Sequence, residues 1–514
     1  MSDTQHPTSA STRVLILGLG ETGVAAARWC ARSGAQLRIA DTREQPAGLD
    51  GLRAAFEGMA AHEQPEYRLG CSTFDNALLD GVTQVVISPG LAPGQSPARE
   101  LLAEADARGI EVAGEIELFA RALAALAESR DYRPHLLAVT GTNGKTTVTA
   151  LTRQLVASSG MTVRAAGNIG PAALNALMDA LDTNALPQAW VLELSSFQLH
   201  TTHTLAPDAA VVLNVTQDHL DWHGDLQAYA RAKARLLGLA RIAIVNRDDP
   251  LTAAMVERLD DTRVRTFGRD LPALVGDMGL ELGQGVAWLA ACEASDFEIP
   301  APAPARRKKD APPPSRPEGR LSRLMPVDAL RIRGMHNATN TLAALSLGRC
   351  LGLGWGAMLR AAREYAGEPG RVEFLRAIGE IDFINDSKGT NVGATVAALE
   401  GLGQPVVLIA GGLGKGQDFS PLVAPVAKHA RAVVLIGQDG PELGQVLATT
   451  GVPCVPASDM RDAVRQAMEL ARPGDAVLLS PACASMDMFR NYIHRGQVFA
   501  QEAQELALER GEIA

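Results

Sequence analysis

Short apolar runs, each followed by a turn and then a helical pattern, recur through almost the whole chain. RVLIL (13–17), QLRIA (36–40) and QVVIS (84–88) form a first series. LLAVT (136–140), AWVLE (189–193), AAVVLN (209–214) and IAIVN (242–246) form a second, and DFIN (382–385), PVVLIA (405–410), AVVLIG (432–437) and DAVLL (475–479) a third. Unbroken apolar runs of this length suit strands buried on both faces, and helices between them make the sheets parallel. The rhythm therefore predicts an α/β fold. At 514 residues the chain is too long for one core, and three domains are expected. The stretch IPAPAPARRKKDAPPPSRPEG (299–319) breaks the rhythm and reads as a solvated or disordered surface loop.

Composition narrows the functional classes. A net charge of −10 argues against a nucleic-acid surface. Anions must then be bound by local cations and backbone amides. Cysteines 30, 71, 292, 350, 454 and 483 contain no C-x-x-C pair and read as reduced thiols of a cytoplasmic protein. The N-terminus MSDTQHPTSASTR lacks an apolar signal region, and no run has the length of a membrane span.

Two glycine loops supply anion cradles. GLGETG places Gly18, Gly20 and Gly23 after a strand and before a helix, and Asp41 ends the next strand. This pattern fits a nucleotide diphosphate, and on these residues alone an NAD-dependent dehydrogenase fits as well. The second loop, GTNGKTT (141–147), is shorter than the common P-loop, which would need a glycine where Val139 stands. Its amides and the following helix can still hold phosphate. Lys145 adds a point charge, and Thr146 or Thr147 a hydroxyl for Mg²⁺. Glu193 ends a strand, where α/β sheets place their ligands, and NVTQDHLDWHG (214–224) adds Asp218, His219, Asp221 and His223. Lys233 shares a helix face with Tyr229, and spacing alone makes it one more solvated cation.

The set GLGETG, DTR, SPG, GTNGKTT, GNIG, LELSSFQL, NVTQDHLD, GMHNATN, NDSKGTN and SPACASMDMFRNY closely resembles the Mur ligases, from about residue 13 to about 505. That family shares its domain plan with folylpolyglutamate synthetases and carries the short GTNGKTT loop. The resemblance implies a Rossmann-like UDP-binding domain over 1–113, a central ATP-binding P-loop domain with a parallel sheet over 114–367, and a Rossmann-like acceptor domain over 368–514. It also implies an ATP-dependent ligase that adds D-glutamate to UDP-N-acetylmuramoyl-L-alanine through an acyl phosphate, as a monomer without nucleic-acid or membrane partners. A sister ligase with another acceptor is the alternative, and a non-catalytic nucleotide-binding scaffold a more distant one.

By resemblance, ATP would be held by Gly141, Thr142, Asn143, Gly144, Lys145, Thr146, Thr147, Asn340, Arg371 and Asp386. Mg²⁺, two ions by analogy, would be held by Thr146, Glu193, His219 and Lys233, the last as N6-carboxylysine. The UDP substrate would meet Thr22, Asp41, Thr42, Arg43, Gly90, Asn168, Ser195 and His219. D-glutamate would meet Lys388, Thr390, Lys415, Ser485, Met486 and Tyr492. Lys145, Glu193, His219 and Lys233 would form the catalytic set. Two positions depart from simple carry-over. The resemblance gives Glu21 no side-chain role, and Gly370 replaces a histidine common before the phosphate-binding arginine.

Overall fold

A computed structural model describes residues 12–60, 64–294 and 315–512. The N-terminal segment and most of the proline-rich stretch 299–319 lie outside the described residues. The chain forms two compact units. One comprises 1–140, 161–210 and 231–242; the other comprises 141–160, 211–230 and 243–514.

In the first unit a five-stranded parallel sheet runs in the order Glu66–Leu69, Gln36–Asp41, Arg13–Leu17, Gln84–Ile87, Glu111–Ala113. The chain leaves Arg13–Leu17 toward one edge and later returns on its other side. That creates a switch point, where the ends of Arg13–Leu17 and Gln84–Ile87 open a crevice. GLGETG and SPG follow those two strands. The helix Glu21–Arg32 packs through Gly23, Ala25, Ala26, Ala27 and Cys30, small residues that allow close approach to the sheet. The same unit holds the strands His135–Thr140, Ala189–Glu193 and Val163–Gly167, with Ala189–Glu193 paired parallel to both others. Trp190 anchors this part of the core. It meets Phe119 edge-on at 5.3 Å, and its indole N–H donates to Tyr132 Oη at 2.9 Å.

In the second unit Ile242–Asn246, Val264–Phe267 and Met278–Gly283 pair in parallel, and Val286–Glu293 and Arg320–Pro326 add antiparallel strands. A six-stranded sheet runs Glu373–Ile378, Ile381–Asn385, Ala476–Leu479, Val406–Gly411, Ala430–Ile436, Cys454–Pro456, antiparallel only at its first pair. Ile381–Asn385, Ala476–Leu479 and Val406–Gly411 are neighbours. Their C-terminal ends therefore bring NDSKGTN, SPACAS and GGLGKG together. The architecture is α/β on mostly parallel sheets, as the apolar runs predict.

Candidate functional site

In the first unit, GLGETG is held shut by its own sheet. Gly18 has φ +86°, and a Cβ on Gly23 would lie 1.9 Å from Gly18 O. Ser88 Oγ donates to that same carbonyl at 2.8 Å. Asp41 is spent on the loop as well. Its carboxylate accepts the Leu19 N–H at 2.7 Å, the Arg43 N–H at 2.9 Å, and the Arg43 guanidinium through Nε and Nη2 at 2.9 and 2.8 Å. Burial pushes this carboxyl upward, but the Arg43 guanidinium and the two amides outweigh it and leave it below the ordinary carboxylate range. These bonds make the Asp41 carboxylate a brace of the loop. Thr22 lies in the first turn of the following helix, and Thr42, Arg43 and Gly90 are exposed around the crevice.

Glu21 does have a contact. Its Oε1 accepts the Ala172 N–H at 3.2 Å, and Glu115 Oε1 accepts the Leu174 N–H at 2.6 Å. Two carboxylates thus meet the N-terminus of the helix Ala173–Asp182, where the helix dipole favours negative charge. Burial pushes Glu115 up to about 7, against the Leu174 amide and with help from Glu21. Glu21 belongs to GLGETG and Glu115 to no motif, and only the tertiary fold reveals the pair.

The helix joins a loop that contains Asn168. Asn168 N–H donates to Glu193 O at 2.8 Å, and its Nδ2 donates to Glu193 Oε1 at 3.0 Å. Glu193 is buried, and its Oε2 has no hydrogen-bond partner among the described residues. Such an oxygen is costly unless a cation or donor meets it. Ser195 caps the helix Ser196–His200 through a reciprocal pair with Gln198. Lys233 is 1% exposed, so the solvated face expected from its spacing is not observed. The neighbouring residues Tyr229, Ala230 and Ala232 are also buried, and the helix turns this face inward.

In the second unit, one cavity gathers Asn143, Gly144, Thr147, Asn340, Arg371, Asp386 and Lys388. Gly144 has φ +82°, and a Cβ there would lie 2.6 Å from Asn340 Oδ1. The loop therefore needs glycine both for its turn and for the approach of GMHNATN. Lys145 Nζ folds back onto Gly141 O at 2.9 Å and Thr142 O at 2.8 Å, while Arg371 Nη2 donates to Thr146 Oγ1 at 2.5 Å. Both cations are held beside the loop.

Gly370 has φ +71°, and a Cβ there would meet Ser387 Oγ at 2.7 Å. That crowding explains why this chain carries glycine before Arg371. Asp386 accepts from Ser480 Oγ at 2.7 Å and from the Val372 N–H at 3.3 Å. Burial drives its carboxyl up to about 7, despite Ser480 and the nearby Arg371. His336 also lines the cavity, and burial lowers it to about 4, leaving a neutral ring at physiological pH. Sequence reasoning passed over it, along with Phe267 and Arg269, which share the lining.

The expected acceptor residues occupy the converging strand ends. Lys388 Nζ stands 3.8 Å from the Tyr492 ring centroid, a cation–π contact. Ser485 is buried, Met486 is 67% exposed, and the Thr390 N–H bonds Lys388 O at 2.8 Å. Lys415 is exposed with φ +54°. Leu413 and Ala484 exchange two backbone bonds of 2.9 Å, tying GGLGKG to SPACAS. His219 also has positive φ, +54°; its Nε2 lies 3.6 Å from Asp218 Oδ2, and its ring packs edge-on to Tyr229. Among the described residues no group of three or more His, Cys, Asp or Glu side chains is arranged to hold a metal ion by itself.

Three family models match in sequence order. They are a Mur ligase MurD-like N-terminal domain (12–114), the Mur ligase middle domain (139–287) and a Mur ligase glutamate ligase domain (370–483). The chain belongs to the Mur ligase family. It is 73% identical, over the full length of both chains, to the UDP-N-acetylmuramoylalanine--D-glutamate ligase of Bordetella bronchiseptica. It is 55% identical over 98% of both chains to the protein of that name in Ralstonia nicotianae. Among solved structures, the UDP-N-acetylmuramate-alanine ligase of Thermotoga maritima matches with TM-score 0.54, covering 96% of this chain and 99% of that one at 17% identity. A MurF of Acinetobacter baumannii matches with TM-score 0.55, covering 98% and 93% at 16% identity. At those identities the structural matches speak for the Mur ligase fold alone. No helix among the described residues is long and apolar enough to cross a membrane.

Proposed function

We propose that this Mur ligase uses ATP to join D-glutamate to UDP-N-acetylmuramoyl-L-alanine in the making of peptidoglycan precursors in the cytoplasm, acting as a monomer. The observation that carries the reading is the 73% end-to-end identity to proteins of that name. The geometry adds support in Lys388, which lines the nucleotide cavity and also stacks on Tyr492. A ligase that passes through an acyl phosphate needs such a shared cation, because an anionic acceptor must approach a phosphorylated carboxyl.

In this reading the substrate carboxylate attacks the γ-phosphorus of ATP and ADP departs. The D-glutamate amine then adds to the acyl carbon, and phosphate leaves as the amide forms. Lys145 would exchange the carbonyls of Gly141 and Thr142 for phosphate oxygens, gaining anionic acceptors in place of neutral ones. Arg371 would turn from Thr146 to the same phosphates. Asp386 and Asn340 would hold ribose and adenine. GLGETG, with Thr22, Asp41, Thr42, Arg43 and Gly90, would take the uridine diphosphate, and Asn168 with Ser195 the muramoyl part. Thr390, Lys415 and Ser485 would orient the two acceptor carboxylates beside Lys388, with Met486 and Tyr492 shaping the pocket.

The partnerless buried oxygen of Glu193, a hard ligand of the kind Mg²⁺ prefers, fits that ion; the family resemblance adds Thr146 and His219 as ligands. When bound, Mg²⁺ offsets charge on the phosphoryl oxygens. The burial of Lys233 fits an N6-carboxylysine, which replaces a poorly solvated cation by oxygen ligands. The test is ADP release with ATP, Mg²⁺ and UDP-N-acetylmuramoyl-L-alanine, adding D-glutamate, L-glutamate or a diamino acid in turn. Release with D-glutamate alone, with the ligated mass, is expected. Release with another acceptor would overturn the acceptor reading.

A further inference from the structure

Asn391, the last residue of NDSKGTN, has no assigned role, and its 5% exposed side chain makes more connections than a helix cap requires. It caps the helix Val392–Gly401 by accepting the Ala394 N–H at 2.9 Å. The same amide forms a reciprocal pair with Asn143 of the phosphate loop. Asn391 Nδ2 donates to Asn143 Oδ1 at 3.1 Å, and Asn143 Nδ2 donates to Asn391 Oδ1 at 3.3 Å. Asn391 Nδ2 also donates to Asp218 Oδ2 at 3.3 Å. Asn143 is itself fixed, since its N–H donates to Asn214 Oδ1 at 2.8 Å and its carbonyl accepts from Asn214 Nδ2 at 3.1 Å.

A separate feature shows that this approach is built in. A Cβ on Gly393 would lie 2.7 Å from Thr216 Oγ1, so only glycine lets the helix end come this near. On its other side the helix is tied to the acceptor loops. The Val392 N–H donates to Gln417 Oε1 at 3.2 Å, and Gln417 Nε2 donates to Gly414 O at 3.0 Å and Ala482 O at 3.4 Å. Asn391 thus stands between loops proposed to hold the acceptor and the loop proposed to hold the phosphates.

We propose that Asn391 is a positioning residue that sets the acceptor loop against the phosphate loop, so that the D-glutamate amine meets the acyl carbon of the acyl phosphate. The proposal rests on the ligase reading above. It acts through Thr390 and Lys388, one and three residues before Asn391, and it requires no contact between Asn391 and a substrate.

The discriminating variant is Asn391→Ser. Serine keeps the helix cap, but its side chain is too short to reach Asn143 and Asp218. The expected result is a melting temperature lowered by only a few degrees, a D-glutamate KM raised about 10-fold, and an ATP KM within about 2-fold of wild type. Loss of one or two net hydrogen bonds has that size, since 10-fold corresponds to ~1.4 kcal/mol. Gly393→Ala checks the same point without touching Asn391, because its methyl group would wedge against Thr216. It should reproduce the rise in D-glutamate KM, and alanine does not weaken a helix. A D-glutamate KM at wild-type level in both variants, or an ATP KM that rises as far as that of D-glutamate, would overturn the proposal. Failure of the ligase reading is separately visible, because the wild-type protein would then give no D-glutamate product.

Discussion

Asp386→Asn should make the protein more stable while weakening its use of ATP, and the gain should depend on pH. The Asp386 carboxyl is 6% exposed and is raised by burial from 3.8 to about 7. A carboxyl raised in this way binds its proton more tightly in the folded chain than in the unfolded one. Its contribution therefore turns against folding as pH climbs from 3.8 toward 7, and stays constant above that. At ~1.4 kcal/mol per unit, the full cost at pH 8 is roughly 4 kcal/mol. Asparagine removes the titration. Its oxygen can still accept the Ser480 hydroxyl, which bonds the carboxyl at 2.7 Å. The weaker bond from the Val372 N–H, at 3.3 Å, is the one lost, at about 1 kcal/mol.

The net gain at pH 8 is then about 3 kcal/mol, several degrees of melting temperature for a domain of this size. Differential scanning of wild type and variant at pH 5, 6, 7 and 8, without nucleotide, should show the gap widening to about pH 7 and then levelling. The ATP KM should rise in the same variant, because the ribose hydroxyls lose an anionic acceptor. A gap that is constant over this range would refute the reasoning, since it would mean that Asp386 is ionised throughout.

Three other substitutions test the proposed chemistry. Lys145→Ala should lower kcat by about 10²–10³, read by ADP release, because it removes a charge aimed at the migrating phosphoryl group; near-normal turnover would free this loop from the reaction. Lys388→Ala should raise the D-glutamate KM about 10- to 100-fold, the cost of one charged hydrogen bond, and more than it raises the ATP KM; an unchanged D-glutamate KM would place the acceptor pocket elsewhere. Lys233→Ala should abolish activity and recover part of it with formate or acetate, which can return an oxygen ligand; a variant as active as wild type would end the carboxylysine proposal.

The apolar runs were legible because they are buried on both faces. Each of the eleven runs quoted from the sequence overlaps a strand, including Arg13–Leu17, His135–Thr140 and Val406–Gly411. The strands that escaped are short, polar or at edges. Glu66–Leu69 and Cys454–Pro456 are mostly half-exposed edge strands, and Val286–Glu293 belongs to an antiparallel addition that no parallel rhythm announces. The glycine loops were legible for a related reason: positive φ and close backbone approach admit few other residues, as Gly23 and Gly144 show.

Side-chain partnership follows a different logic. Asp41 had the spacing of a ribose ligand, yet its oxygens are taken by Leu19 and Arg43. Lys233 had the spacing of a surface cation, yet it is buried. Glu21 reaches a residue 151 positions away, and Asn391 one 248 positions away. Local pattern reports which face of an element is apolar, but not which distant polar group that face will meet. Asp41, Lys233 and Glu21 are polar groups whose energetics are decided by partners that only the tertiary fold supplies.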